Sequence, residues 1–69
     1  MNDSLQNVID MCDVIITNSN SNIKKHADII LGSDDVYSNR YNEKMMQWYD
    51  GRINAAITIK QTIKDMEVE

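Results

Sequence analysis

The sequence has no proline and no phenylalanine, and its 69 residues include only one cysteine, one histidine and two glycines. A lone cysteine excludes a disulfide within the chain, and Cys12 together with His26 offers too few ligands for a structural zinc site. A chain this short buries only about 60% of the surface that its unfolded form exposes, so small domains usually need a further source of stability. Association with a second copy or with a partner is the source that remains.

Basic residues are also scarce: there are 7 Lys and Arg against 11 Asp and Glu, and the net charge is −4. Residues 1–22 contain no Lys or Arg. Direct binding to nucleic acid is therefore not expected, because it depends on neutralising phosphates with basic side chains. No apolar run approaches the ~20 residues of a membrane span, and the first residues do not resemble a signal peptide. These features predict a single cytoplasmic domain over residues 1–69 that does not bind membranes.

The first half of the chain shows a helical pattern. Apolar residues recur at steps of three and four from Leu5 to Ile16, which predicts a helix over about 4–17. The polar run 18–22 consists of Asn and Ser, which bond to their own backbone and favour turns. A second helix is predicted over about 23–31, ending at Gly32. An alternative is two short strands, because residues 13–17 and 28–32 are rich in β-branched side chains.

The second half predicts one long helix over about 36–66. Its apolar residues cover about half of its circumference between 45 and 57, more than the stripe that a surface helix needs. Gly51 weakens the middle by about 1 kcal/mol relative to Ala, which leaves the continuity of the helix there open. The predicted fold is therefore all-α, with a short helical hairpin packed on one long helix. The hairpin covers half of that helix, so the protein is expected to be an oligomer with this interface: Met46, Ile53, Ile57, Ile59, Ile63 and Met66.

Four residues are predicted to contact a partner protein. Asp10 and Asp13 belong to an acidic surface that would steer the chain towards a basic one. Tyr49 is expected to be partly exposed at an interface, whereas Trp48 is expected in the core. Arg52 either stacks on Trp48, one turn earlier, or reaches an acidic group of another chain.

The sequence contains no catalytic motif: it has no Gly-rich phosphate loop, no GxSxG and no HExxH. We therefore expect no enzymatic activity, no cofactor and no metal. The sequence favours a self-associating inhibitor or adaptor that binds and occludes a partner macromolecule, as suits small acidic proteins of phages and mobile elements. The alternative is an oligomer that binds a nucleotide-like ligand through adjacent aromatic and basic side chains: Tyr37, Arg40, Tyr41 and Lys44.

Overall fold

The protein is an antiparallel pair of long helices. The structure, a computed structural model, describes residues 3–68, in which α1 spans Asp3–Leu31 and α2 spans Val36–Val68. The pair measures 52 × 15 × 13 Å, and its radius of gyration is 15.8 Å, against about 11 Å for a compact domain of this length. The all-α prediction is confirmed, and the two-strand alternative is wrong, because residues 13–17 and 28–31 are helical.

The predicted turn at 18–22 is also wrong, and the predicted hairpin of two short helices is one helix of 29 residues. Ser19 lies against α2 with 2% of its surface exposed. The side-chain amide of Asn22 donates to the carbonyl oxygen of Asn18 at 2.8 Å, which is a bond along a helix rather than across a turn. Packing against α2 therefore outweighs the preference of Asn and Ser for turns.

The two helices meet along a seam with the spacing of a coiled coil. In both helices, the residues that face the partner alternate at steps of three and four, the 3.5-residue repeat that winds helices into a left-handed supercoil. The hydrogen bond from His26 to Asn42 sets the register. The seam residues are all buried or half-buried. They are Leu5, Ile9, Cys12, Ile16, Ser19, Ile23, His26 and Ile30 of α1, and Asn39, Asn42, Met46, Tyr49, Ile53, Ala56, Lys60 and Ile63 of α2.

The connection between the helices is short, at residues 32–35, and is held by side chains. α1 ends at Leu31, as predicted, and the backbone N–H of Gly32 donates to the carbonyl oxygens of Asp28 and Ile29. Asp35 caps α2, because its Oδ1 accepts hydrogen bonds from the backbone N–H groups of Tyr37 and Ser38. These bonds fix where the chain reverses, so α2 packs along the whole of α1.

Replacing Gly51 with alanine is expected to stabilise the protein by about 0.5–1 kcal/mol, because glycine is a poor helix former. α2 runs continuously through Gly51, and a Cβ at this position meets nothing within 4 Å. Urea denaturation followed by circular dichroism measures the difference. A Gly51→Ala variant less stable than the wild type would show that the backbone needs glycine here.

Candidate interaction surface

The seam is bordered by two flanks that differ in polarity. Each flank consists of the residues one position before or one position after alternate seam residues in the heptad repeat. Because α2 runs antiparallel to α1, corresponding flanking positions of the two helices lie on the same side. On one side six of the nine positions are apolar, and we call it the apolar flank: Val8, Ile15, Asn22, Ile29, Ser38, Met45, Arg52, Ile59 and Met66. On the other side six of the nine are polar, and we call it the polar flank: Gln6, Asp13, Asn20, Ala27, Val36, Glu43, Asp50, Ile57 and Lys64.

The end of the apolar flank near the chain termini carries a cluster of aliphatic side chains. A groove of about 230 Å³ runs between the helices there, with Cys12, Ala55, Ala56 and Ile59 among its lining residues. Small side chains on both helices form its floor, because buried Cys12 and Ala56 fill little space. We call this cluster and its neighbours the aliphatic patch: Val8, Met11, Ile15, Ala55, Ile59 and Met66. None of these residues is buried in the single chain.

The end of the apolar flank nearer the turn carries aromatic side chains in contact with one another. The ring of His26 stacks on Tyr49 at a centroid distance of 6.0 Å and meets Tyr41 edge-on at 6.5 Å. Tyr49 in turn meets the ring of Trp48 edge-on at 4.9 Å. We call the exposed part of this row, Tyr41, Trp48 and Arg52, the aromatic patch. Half-buried His26 and Tyr49 support it from beneath.

The guanidinium of Arg52 lies over the Trp48 ring, 4.9 Å from its centroid. The stacking interpretation of Arg52 is thus confirmed. Trp48 itself is 53% exposed, so the prediction that it belongs to the core is wrong. Within residues 3–66, no carboxylate forms an ion pair with Arg52. A stacked guanidinium keeps its N–H edge available to a carboxylate, so Arg52 and Trp48 together present both an apolar and a cationic contact.

The predicted partner-binding residues do not form one surface. Asp13 belongs to the polar flank, where it pairs with Lys60, and Asp10 accepts a hydrogen bond from Gln6 on the outer surface of α1. Tyr49 and Arg52 belong to the seam and to the apolar flank. Lys60 occupies a seam position, packs its alkyl chain there and extends its ammonium group to Asp13. The pair is partly exposed, and such pairs contribute about 0–1 kcal/mol.

The predicted oligomer-interface residues divide into three groups. Met46, Ile53 and Ile63 lie in the seam between α1 and α2, which accounts for the burial of Ile63 and the partial burial of Met46 and Ile53 within one chain. Ile59 and Met66 belong to the aliphatic patch, 45% and 59% exposed. Ile57 is 50% exposed but lies on the polar flank. The six residues lie on neighbouring stripes of α2. Because α1 packs over the middle of this surface, some of them are covered by α1 and the others lie on opposite sides of it.

The four predicted ligand-binding residues, Tyr37, Arg40, Tyr41 and Lys44, are exposed on the first two turns of α2. None of them lines the grooves beside Met46, Cys12 or Met11. In the described part of the chain, no group of three or more His, Cys, Asp or Glu side chains is placed to hold a metal ion. Neither helix is long and apolar enough, over its described residues, to cross a membrane.

Sequence reasoning did not identify Val8 and Met11 as exposed residues. The signal was present, because Val8, Met11 and Ile15 follow one another at steps of three and four beside the seam. The apolar stripe predicted on the first helix includes Val8 and Ile15 and leaves out Met11. Compared with known proteins, the chain matches no family model, no curated protein and no solved structure.

Proposed function

We propose that the protein is a protein-interaction module that uses its aromatic patch to anchor and occlude another protein. The observation that supports this proposal is the exposure of Trp48 and Tyr41, 53% and 61%, beside Arg52, which stacks on the Trp48 ring. Trp, Tyr and Arg are the residues that dominate binding energy at protein interfaces. An inhibitor or adaptor of this kind acts by covering a surface of its partner.

The local charges indicate the chemistry of the partner. Although the chain carries a net charge of −4, the charge within the aromatic patch is the positive Arg52. Acidic Asp10 and Asp13 lie on other surfaces, and interactions of exposed charges fade over about 8–10 Å in physiological salt. The partner site that fits best is thus an apolar pocket for Trp48, bordered by a carboxylate that accepts from Arg52.

Position-specific photo-cross-linking tests this proposal in cells that naturally express the chain. A benzophenone side chain at Tyr41 is expected to form an adduct with a distinct second protein. The same probe at Gln47, exposed on the outer surface of α2 towards the polar flank, is expected to form none. Equal adducts from both positions, or none with any other protein, would overturn the proposal.

Replacing Trp48 with alanine is expected to weaken binding to the cross-linked partner by at least ~30-fold, the effect of losing 2 kcal/mol at an interface hot spot. Ile57→Ala is the matched control, since Ile57 is equally exposed but lies on the polar flank, and its affinity is expected to stay within about twofold. Isothermal titration with the purified partner measures both. An unchanged affinity for Trp48→Ala would remove the aromatic patch from the interface.

The nucleotide-binding alternative predicts a different result. Ligand sites bury most of a small molecule in a concave pocket, whereas Tyr37, Arg40, Tyr41 and Lys44 lie on a convex helix surface. If a nucleotide raised the melting temperature by several degrees and no protein adduct formed at Tyr41, the protein-interaction proposal would be wrong. We expect no such rise.

A further inference from the structure

We infer that the aliphatic patch binds a second copy of this chain, so that two hairpins form a four-helix bundle. This inference concerns a different partner from the proposed one and the neighbouring surface of the apolar flank, which shares only Arg52 with the aromatic patch, because Arg52 also lines the groove. Three observations on the hairpin carry it: the heptad pattern, the excess of exposed surface, and the self-complementary shape of the patch.

The heptad pattern is that of a bundle helix. A helix that contacts one partner needs apolar residues only at its seam, whereas a helix in a bundle is also apolar at one flanking position. Both helices of this protein carry more apolar residues on the same flank than on the other. The aliphatic patch is therefore continuous with the hairpin core, because the buried seam residues Cys12 and Ala56 also form the floor of the groove in the patch.

The surface that this chain exposes in excess of a compact monomer is about as large as the area that one partner buries in a stable interface. A compact monomer of 8.0 kDa exposes about 4,450 Å², whereas this chain exposes 5227 Å². The excess is about 780 Å², close to the ~800 Å² that each partner buries in a standard stable interface. Only four apolar residues of the described chain are buried in the hairpin itself: Ile9, Cys12, Ala56 and Ile63.

The shape and charge of the patch favour a second copy over another protein. A twofold interface pairs a surface with itself, so the surface must hold both a protrusion and a recess. Met11 protrudes, 64% exposed, and directly precedes Cys12, which lines the groove between the helices. Twofold pairing lets the Met11 of each copy fill the groove of the other. The six residues of the patch carry no charge, and the charged side chain that lines the groove, Arg52, is stacked on Trp48.

The solution mass of two matched variants tests the inference. Sedimentation equilibrium at tens of micromolar is expected to give the wild type twice the 8.0 kDa chain mass. Ile59→Asp is expected to raise the dissociation constant at least ~30-fold, because it places a charge in the patch. Ile57→Asp, the same change two residues away on the polar flank, is expected to remain dimeric. A monomeric wild type, or two variants with equal dissociation constants, would overturn the inference.

Met11→Ser provides a second test of the dimer in case circular dichroism shows that Ile59→Asp is unfolded. The Met11 side chain is outside the seam, so its loss leaves the hairpin intact and is expected to weaken dimerisation about tenfold or more. A Met11→Ser dimer as tight as the wild type would contradict the inference. Trp48→Ala is expected to keep the wild-type mass, which separates a failure of this inference from a failure of the partner-binding proposal.

Discussion

Asn20→Pro is expected to unfold the protein at room temperature. Position 20 is exposed in the middle of α1, where proline removes a backbone hydrogen bond and clashes with the preceding turn at a cost of about 3 kcal/mol or more. The core of a domain this small supplies only about 3–5 kcal/mol. Far-UV circular dichroism should show the loss of most helical signal, including that of α2, which packs only along α1 in the single chain.

The control for this variant is Asn20→Ala at the same exposed position. Alanine is the best helix former and asparagine a poor one, so Asn20→Ala is expected to raise the free energy of unfolding by up to about 0.7 kcal/mol. If the run 18–22 were a turn, proline would be tolerated and alanine would bring no gain. An Asn20→Pro variant with the melting temperature of the wild type would therefore support a turn at 18–22 and contradict a continuous α1.

The wrong prediction at 18–22 arose because local residue preferences do not include packing against the other helix. Three asparagines and two serines within five residues favour a turn when the segment is considered alone. The seam spacing continues through it, however, because Ser19 and Ile23 fall three and seven residues after Ile16. Buried Ser19 is the seam residue there, and a serine carries little apolar signal. The continuous repeat is visible only when polar residues are allowed at seam positions, as His26 and Asn42 also require.

The extent of α2 was predicted within about two residues, at 36–66 against Val36–Val68. This succeeded because its apolar spacing is long and regular and because Asp35 provides a cap at its start. Neither signal depends on the partner helix. The end of α1 at Leu31 was predictable for the same reason, from the glycine that follows it.

The division of α2 into a seam and an exposed flank could not be predicted in the same way. Its apolar residues form two neighbouring stripes, and which stripe faces α1 depends on the length and register of α1. A 29-residue α1 covers nearly all of α2, whereas two short helices cover half of it. Because α1 is longer than predicted, it packs against Met46, Ile53 and Ile63, whereas Ile59 and Met66 remain at the surface of the hairpin.

Ile63→Ala is the second variant expected to have a large effect, a loss of about 2–4 kcal/mol in the free energy of unfolding. Ile63 is 5% exposed, and truncating a buried isoleucine removes apolar contacts and leaves a cavity. Ile57→Ala makes the same chemical change at a residue that is 50% exposed, so its effect should stay within about 0.5 kcal/mol. Urea denaturation of both variants gives the two values.

Concentration dependence then shows which contact Ile63 makes. A seam residue stabilises each hairpin, so the melting-temperature loss for Ile63→Ala should be equal at low and high protein concentration. A residue between copies stabilises only the associated form, so the melting-temperature loss on its truncation should be near zero at low concentration, where both proteins are monomeric, and should grow as concentration rises. Ile59→Ala is expected to follow the second behaviour. If Ile63→Ala folded as stably as the wild type but became monomeric, Ile63 would belong to the interface between copies, and the register set by His26 and Asn42 would be wrong.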